Sequence, residues 1–577
     1  MSGSRPSRRN LHATAIAVLT ALTAAAYASS FGASFQLDDY PVIVEDVALR
    51  LPQVFSSPLA MYRTHGVAGL SRFFGYLSFG VDRQLWGLDV RGFHATSLLV
   101  HLGTSLLVYA LALLLFRTPR LSRSELAAHA PAVALVAAAL FAVHPVQTQA
   151  VTYLVQRFTS LATLFGLAGT CAWLRYRLGT GRSRWGWWLA LSLVATVAAM
   201  TTKEIAFTFP LMALAAEVLF FEGPLSPRLL RLVPLLATMA IVPALVLAGG
   251  PVASRITAGG EQALQMIHLE RGDYLLTQAR VVLTYLRLLA LPVDQNLFYD
   301  YPVEHSLSAP VVLSGLAHLA ALGGAILLAR RSRRGEPALA LLAFGIVWFY
   351  VALSVETLAV VIVDVIFEHR VYYPSVGVCL AVAAGAVLAV RRAAARWPAA
   401  PKVASGIAVA TVLVLAAATF ARNGVWATEA TLWTDVAEKS PGMPAAQYMV
   451  GVGHMRQGRY ADAIAAFQRA VEVNPYFVAT YPELARAYAL ASQPSRMLAA
   501  QALERYLSAD FAGALALWDR AVAAGPTNPD AHHGRGLALV AIGRAADGAE
   551  EMRLACAMGR AVACANVEKG SKRLPLP

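Results

Sequence analysis

Charged side chains are scarce in this sequence. Asp, Glu, Lys and Arg make up 14% of its 577 residues, whereas 57% of the residues are apolar and the mean hydropathy is +0.55. Soluble domains carry about 25% charged residues, so this scarcity excludes an ordinary soluble protein. The composition predicts a polytopic protein surrounded by membrane lipids.

Cysteine is also rare, with four residues in the chain. Cys171 and Cys379 lie within apolar runs, where a thiol behaves as a small hydrophobe and needs no function. A convincing small-residue cleavage site is missing after the basic N-terminus and the first apolar run. We therefore expect that run to remain as an uncleaved first span.

Acidic residues are outnumbered by basic ones, which gives a formal net charge of +14. The basic residues cluster in short joints between apolar runs and not on one soluble face. We therefore expect no nucleic-acid partner, and we interpret the basic residues as topology signals.

Apolar runs long enough to cross a bilayer are concentrated between residues 11 and 420. They predict an all-α protein with a polytopic helical bundle at 1–420, a linker at 421–443 and a soluble domain at 444–577. A run at 279–292 has about 14 residues, too few to cross, and is expected to be re-entrant or interfacial. We expect eleven spans, at 11–31, 93–116, 128–145, 158–176, 185–201, 205–221, 230–249, 309–329, 338–355, 374–390 and 402–420.

The basic joints orient these spans through the positive-inside rule. With the N-terminus in the cytoplasm, RRSRRGE at 330–336 and RRAAARWPAAPK at 391–402 lie inside. The polar motifs then all lie on the outer side: FQLDDYP at 35–41, the loop at 32–92 with its expected interfacial helices, HPVQTQAVTYLVQR at 144–157, TTKE at 201–204, HLERGDY at 268–274 and FEHRVYYP at 367–374. Charged groups at membrane edges are costly unless they face a cavity or one another, so the sequence predicts one outward-facing site.

Asp38 and Asp39 stand side by side directly after the first span. An ionised pair raises the pKa of one partner, which suits a general base or a cation ligand. Asp is also a favoured helix cap, so a purely structural role is the alternative.

FEHRVYYP holds Glu368, His369 and Arg370 between apolar neighbours, where an unpaired charged cluster costs several kcal/mol. Arginine suits bidentate phosphate binding, and a buried ion network is the structural alternative. Lys203 and Glu204 form either a local ion pair or part of the site.

Arg157 begins a span on the outer side and has no acidic neighbour in sequence, so we expect an anionic partner for it. Arg72 and His94 in the first loop could be ligands, and for His94 we favour a headgroup anchor. For His144 a structural role is the favoured interpretation.

The C-terminal domain contains a tetratricopeptide pattern of three to four helix-pair repeats. With Pro475 at the proline of the 34-residue motif, Gly451, Ala463, Phe467 and Ala470 fall on its small and aromatic positions. The second unit uses Ala502, Ala514, Trp518, Ala521 and Pro526, and a weaker third unit uses Gly536, Met552 and Ala555. The stretch at 478–494 is expected to be an imperfect unit of its own, and such solenoids bind peptide segments.

Span parity places these repeats on the outer side with Cys556 and Cys564. An oxidising compartment permits a disulfide between those two cysteines. The sequence leaves open whether the bridge forms.

Several stretches in order resemble the transmembrane and tetratricopeptide repeat O-mannosyltransferases and their bacterial relatives in the GT-C superfamily of membrane glycosyltransferases. They are the early DD, FHATSLLVH, HPVQTQAVTYLVQR, the KE of TTKE, LTYLRLLALPVDQNLFYDYP, FEHRVYYPSVGVC and the LW of ATLWTDVAEKSP. The chain departs from the family pattern at SRFFGYL in the first loop and at VQR, where VGR is common.

The resemblance implies a GT-C-like membrane enzyme that moves a sugar from a polyprenyl-phosphate carrier to a hydroxyl, expected to be Ser or Thr of a protein held by repeats within 444–562. Asp38 or Asp39 would be the base, with a slight preference for Asp39, and the pair would hold Mg or Mn if a divalent metal is used. Donor-phosphate binding would fall to Arg370 first, then His369, Lys203 and Arg157, with Glu368 beside them. Glu204, His144 and Arg72 would line the site.

The composition is typical of a bacterial protein, so we expect an inner-membrane location with a cytoplasmic N-terminus and periplasmic repeats. A non-catalytic scaffold that assembles secreted or envelope proteins through the repeats is the alternative. A scaffold would not need the charged cluster on the outer side.

Overall fold

The structure is a computed structural model that describes residues 8–50, 57–179, 182–248, 269–362 and 364–568. Parts of the expected features at 1–7, 51–56, 249–268 and 569–577 lie outside the described residues, including the basic N-terminus and His268. The chain divides into two compact units. The first extends to Thr428, and the second holds Phe298–Asp300 and the chain from Glu429 onward.

The first unit is built from helices, and no strand occurs among the residues described above. Its α-helices are α1 Arg8–Ala26, α2 Pro58–Ser71, α3 Phe73–Trp86, α4 Val90–Leu115, α5 Ala130–Ala142, α6 Thr148–Val151, α7 Arg157–Leu178, α8 Arg182–Met200, α9 Phe209–Phe220, α10 Leu225–Ala237, α11 Ile241–Ala248, α12 Arg271–Ala290, α13 Ala309–Arg333, α14 Leu339–Ser354, α15 Ser375–Ala394 and α16 Ala400–Val425. Short 3-10 turns join several of them, including Glu204–Thr208 and Glu368–Val371.

The predicted membrane character is confirmed, although the number of spans stays a prediction. Within the described ranges, six helices are long and apolar enough to cross a membrane. A seventh span arises if Ala127–Ala142 and Pro145–Val151, bent by 53°, count as one. The run expected at 279–292 is part of the longer α12, which begins in the charged sequence after Glu270.

The core of the first unit is formed by buried apolar side chains that several helices contribute. Leu111, Phe141, Leu167, Phe344 and Leu380 from five different helices are fully buried in it. By contrast, only 6% of the apolar window of α16 is buried, against 67% for Leu339–Ala359. The exposed apolar faces are those expected to meet lipid.

Two glycines allow α14 and α15 to cross closely. A Cβ atom added to Gly377 would lie 2.6 Å from the carbonyl oxygen of Gly345, and one added to Gly345 would meet the carbonyl oxygen of Gly377. The Trp348 indole also donates a hydrogen bond of 3.1 Å to the carbonyl oxygen of Tyr373, just before α15. The start of α15 is therefore fixed against α14.

The second unit contains the predicted repeats. Its helices are α17 Glu429–Lys439, α18 Pro444–Arg456, α19 Tyr460–Val473, α20 Thr480–Leu490, α21 Pro494–Leu507, α22 Phe511–Ala524, α23 Pro529–Ala541, α24 Ala545–Ala557 and α25 Ala561–Glu568. The end of α16 and all of α17 lie in the stretch expected to be a linker. The three predicted units are the pairs α18 and α19, α21 and α22, and α23 and α24, whereas 478–494 contains the single helix α20.

Small residues close each pair, as the motif requires. Gly451 faces the ring of Phe467, and Trp518 is fully buried with Ala514 and Ala521. A disulfide joins Cys556 near the end of α24 to Cys564 in α25, with 4.7 Å between their Cα atoms. The bridge that the sequence left open is thus present.

The close crossing of α14 and α15 predicts that Gly377→Ala lowers the midpoint of thermal unfolding in detergent. Overpacking at such a contact costs about 1–3 kcal/mol. Gly385→Ala on the same helix is the matched control, since the nearest atom to its added Cβ is 4.0 Å away. Equal midpoints for the two variants would contradict the close packing.

Candidate functional site

Asp39 is a fully buried residue of the turn that follows α1. One carboxylate oxygen accepts a 2.9 Å hydrogen bond from the backbone N–H of Gln36, and the other accepts a 2.7 Å bond from that of Val155. Burial raises the pKa of Asp39 to about 8, against the opposing effect of these two N–H groups. Asp39 thus fastens the FQLDDYP turn to the segment before α7.

Asp38 is only partly buried. Its backbone N–H donates a 3.1 Å hydrogen bond to the Tyr153 hydroxyl. Burial raises the pKa of its carboxyl, a hydrogen bond with Tyr153 opposes the rise, and the neighbouring charge of Asp364 adds to it. Of the two adjacent carboxylates, Asp38 is the one with open surface.

Arg157 has the anionic partner that the sequence predicted, and the partner is Asp82 of α3. Their side chains form an ion pair of 2.5 Å and are almost fully buried. The guanidinium also donates to Ser97 at 3.0 Å and to the carbonyl oxygen of Phe93 at 2.6 Å. Arg157 therefore joins α3, α4 and α7, and its side chain has no exposed surface with which to contact a phosphate.

Lys203 and Glu204 pair with other segments and not with each other. The Lys203 ammonium donates a 2.8 Å hydrogen bond to Thr159 and lies 3.5 Å from the carboxylate of Glu356. Glu204 forms a 3.0 Å ion pair with Arg72 of the first loop. TTKE is thereby connected to the first loop, to α7 and to the end of α14.

The segment 364–371 folds around its own arginine. The Arg370 guanidinium donates to the carbonyl oxygens of Val365, at 3.1 Å, and Asp364, at 2.7 Å. The backbone N–H of His369 donates to Gln149 at 2.7 Å, and the imidazole stacks on Phe367 with 5.2 Å between ring centroids. HPVQTQAVTYLVQR and FEHRVYYP thus meet directly.

Glu368 and His144 have structural partners. The Glu368 carboxylate accepts hydrogen bonds of 2.7 Å from the side chain of Gln295 and from the backbone N–H of Asn296. The His144 ring lies 3.0 Å from the carbonyl oxygen of Leu289. Both side chains fix loops next to the site.

The charges of three cations act on the ring of His369. Burial lowers the pKa of His369 well below its ordinary value, and the charges of Lys203, Arg370 and Arg72 lower it further. Burial also lowers the pKa of Lys203, although Glu356 and Glu204 oppose that effect. For Glu204, burial favours a higher pKa, but the nearby Arg72 and Lys203 outweigh it and the pKa is lowered. We call Arg72, Lys203 and Arg370 the cation cluster.

The arrangement therefore brings the predicted motifs together at one end of the bundle. FQLDDYP contacts Val155, TTKE contacts Thr159, and Tyr274 of HLERGDY donates to the carbonyl oxygen of Glu356. Asp364 links Asp38 to the cation cluster. Its charge raises the pKa of Asp38, and its carbonyl oxygen accepts a hydrogen bond from Arg370. A partly exposed carboxylate and a set of cations in one place can deprotonate a hydroxyl and stabilise an anion.

The expected divalent-metal site at the two aspartates stays a prediction. Both oxygens of Asp39 are occupied by backbone N–H groups. Within the described ranges, no group of three or more His, Cys, Asp or Glu side chains is placed to hold a metal ion.

Sequence reasoning missed Asp82, Glu356 and Asp364. Glu356 is an acidic residue directly after an apolar run, in LSVETLAV. A charge at such a position costs free energy unless it is paired, so the sequence could have indicated that Glu356 has a cationic partner. Asp82 lies in the helical first loop, where an acidic residue gives no such signal. Its pairing depends on the packing of α3 against α4 and α7.

Comparison with known proteins confirms the predicted resemblance and the repeats. Family models described as "Tetratricopeptide repeat" match residues 444–477 and 499–563. The chain is 31% identical over 198 residues to the human "Protein O-mannosyl-transferase TMTC4". The matched region covers 32% of this chain and 26% of the relative. It is 30% identical over 213 residues to the Drosophila melanogaster "Protein O-mannosyl-transferase Tmtc1", covering 35% and 23%. The chain thus matches about a quarter of the length of these curated relatives.

Among solved structures, a chain of "Crystal structure of APC/C hetero-tetramer Cut9-Hcn1" aligns over 91% of this chain and 94% of its own. The sequence identity is 13% and the TM-score is 0.13.

The buried ion pair predicts that Asp82→Ala lowers thermal stability strongly, by about 3–5 kcal/mol, because the charge of Arg157 loses its partner. Replacing both residues, with Asp82→Leu and Arg157→Met, should recover most of the loss, since two apolar side chains need no charge compensation. Thermal unfolding in detergent measures both effects. A double variant as unstable as Asp82→Ala would show that the ion pair is not what matters there.

Proposed function

We propose that the protein is a membrane glycosyltransferase of the GT-C type that transfers a sugar, mannose in the relatives' names, from a polyprenyl-phosphate-linked donor to a Ser or Thr hydroxyl of a protein. The observation that carries this proposal is that Asp364 connects Asp38 to the cation cluster, since its charge acts on Asp38 and its carbonyl oxygen accepts a hydrogen bond from Arg370. The two halves of the site provide the two functions that the reaction needs.

The carboxylate of Asp38 takes the acceptor's proton. As the hydroxyl oxygen forms its bond to the anomeric carbon, the bond from that carbon to the phosphate oxygen breaks, and the proton passes to Asp38. The partial exposure of Asp38 supports this assignment over Asp39, whose two oxygens already accept backbone hydrogen bonds. A positioned base contributes about 10²–10⁴-fold to such a step.

The cation cluster holds the phosphate that leaves with the bonding electron pair. Lys203 and Arg72 come from separate segments and each pairs with one carboxylate, which favours the charged form of each side chain. Arg370 supplies a third charge while it shapes the 364–371 turn. Charges fixed before the reaction stabilise developing phosphate charge at little reorganisation cost.

The repeats bind a segment of the acceptor protein, since solenoids of this kind bind extended peptides. The disulfide between Cys556 and Cys564 supports an oxidising compartment for this unit. We propose that the reaction takes place on the outer face of the membrane, which in a bacterium is the periplasmic side of the inner membrane.

Asp38→Asn is expected to lower the rate of sugar transfer by about 10²–10⁴-fold without loss of folded protein, because an amide cannot accept the proton. The assay combines purified protein, polyprenyl-phosphate mannose and an acceptor protein, with mass spectrometry of the product. Asp89→Asn is the matched control, because Asp89 is an exposed cap of α4 and Asn caps a helix equally well.

Two outcomes would contradict this scheme at different levels. If the Asp39→Asn protein is folded but inactive and the Asp38→Asn protein is active, the general base is Asp39 and not Asp38. Unchanged glycan attachment in cells carrying both substitutions at normal protein level would overturn the enzyme and favour the scaffold.

The acid limb of the rate profile should reflect the raised pKa of Asp38. The base is active only when it has lost its proton, so activity should rise with pH through a midpoint above the ordinary value of a free Asp, about 3.9. Asp364→Asn removes a negative neighbour that raises the pKa of Asp38, so it should move this midpoint to lower pH. Measurement of kcat/KM against pH for both proteins tests the shift, and an unmoved or higher midpoint would contradict the assignment.

A further inference from the structure

A second polar cluster lies at the other end of the same helices. Helix α7 starts with Arg157 at the candidate site and carries Arg177 in its last turn. At 1.5 Å per residue, its 22 residues separate these ends by about 33 Å. The chain likewise runs from Glu204 at the candidate site through α9 to Phe220 at the other end.

Glu217 organises this second cluster. It is fully buried in α9 and forms ion pairs with Arg177 and, at 3.4 Å, with Arg228 of α10. Two arginines therefore share one carboxylate, and the cluster has positive charge left over. Another guanidinium nitrogen of Arg228 donates a 3.3 Å hydrogen bond to the carbonyl oxygen of Gly223.

Two guanidinium nitrogens in this region have no partner among the described residues. They are Nη2 of Arg228, whose residue is 8% exposed, and Nη1 of Arg120, and both atoms are buried. The backbone N–H of Arg120 donates to the carbonyl oxygen of Phe220 at 3.2 Å, three residues before Gly223. Both guanidinium groups therefore belong to the junction between the loop after α4 and the start of α10.

The surrounding charge is also positive. Burial lowers the pKa of Arg120, and the charges of Arg333 and Arg228 lower it further, with Glu222 opposing them. Glu222 is itself engaged by Arg123 at 3.2 Å. A buried N–H donor without an acceptor costs free energy comparable to a lost hydrogen bond, so this junction is suited to an anion.

We propose that Arg120, Arg228 and Arg333 bind the phosphate of a membrane phospholipid headgroup. Guanidinium groups bind phosphate oxygens in paired hydrogen bonds, and the two unpartnered nitrogens provide donors for them.

The lipid is favoured over a free ion by the faces next to the arginines. Leu225–Ala248 and Ala309–Arg333, which carry Arg228 and Arg333, are only 11% and 17% buried over their apolar windows. Leu230 and Val233, on the helix that carries Arg228, are largely exposed. The acyl chains lie along these faces while the headgroup contacts the arginines. Basic pockets between transmembrane helices bind the headgroups of anionic lipids in this way.

Native mass spectrometry of the full-length protein in detergent tests this site. Phosphatidylglycerol is added to wild type, to Arg120→Gln with Arg333→Gln, and to Arg330→Gln with Arg334→Gln. The last variant is the matched control, since it removes the same charge from exposed positions at the end of α13. We expect the first variant to bind its first lipid about tenfold more weakly than wild type and the control to bind normally.

Diacylglycerol with the same acyl chains, which lacks the phosphate, should show no difference among the three proteins. Equal phosphatidylglycerol binding by the two double variants would overturn the site. If the first variant does not fold, Arg333→Gln alone, at an exposed position, must weaken binding for the proposal to stand.

Inorganic phosphate separates the two sources of the anion. If the lipid headgroup is the ligand, a millimolar excess of inorganic phosphate leaves phosphatidylglycerol bound. Displacement of the lipid by the ion, with the same dependence on Arg120 and Arg333, would overturn the lipid assignment. The measurement does not involve sugar transfer, so its outcome is independent of the proposed enzyme.

Discussion

The ion pair between Arg157 and Asp82 is the contact on which the candidate site depends. A guanidinium with no exposed surface requires full compensation, and its partners come from the first loop and from α4. These bonds fix the start of α7, and Val155, two residues earlier, binds Asp39. The position of the FQLDDYP turn thus depends on Arg157, a charged residue that takes no part in the proposed reaction.

The two aspartates divide the roles that the sequence left open between them. Asp39 holds the turn by accepting two backbone hydrogen bonds, from Gln36 and Val155, and makes no side-chain cap bond to the helical turn Tyr40–Val44 that follows it. Asp38 keeps open surface beside Tyr153, which suits the reactive interpretation. The same division separates Glu368, which fixes a loop, from Lys203 and Arg72, which pair with Glu356 and Glu204 respectively.

Hydropathy and motif order predicted the helical bundle, the repeats and the gathering of polar motifs, because each depends on local composition. The unpaired charge of Arg157 even predicted an anionic partner. The identity of that partner could not be predicted, since Asp82 meets Arg157 only when α3 packs on α4 and α7. Glu356 was missed for a similar reason: its contact with Lys203 joins segments about 150 residues apart. The single helix at 478–494 shows a further limit, because repeat patterns do not reveal an unpaired helix.

The glycine crossing of α14 and α15 has a consequence for how the site responds to its substrates. Backbone-to-backbone packing leaves no rotamers to rearrange, and Trp348 braces the chain at Tyr373, four residues after His369. The FEHR turn and the Glu356 end of α14 are therefore parts of one stiff frame. The electrostatic field of the candidate site is therefore set when the protein folds, and any adaptation to different ligands must come from elements outside that frame.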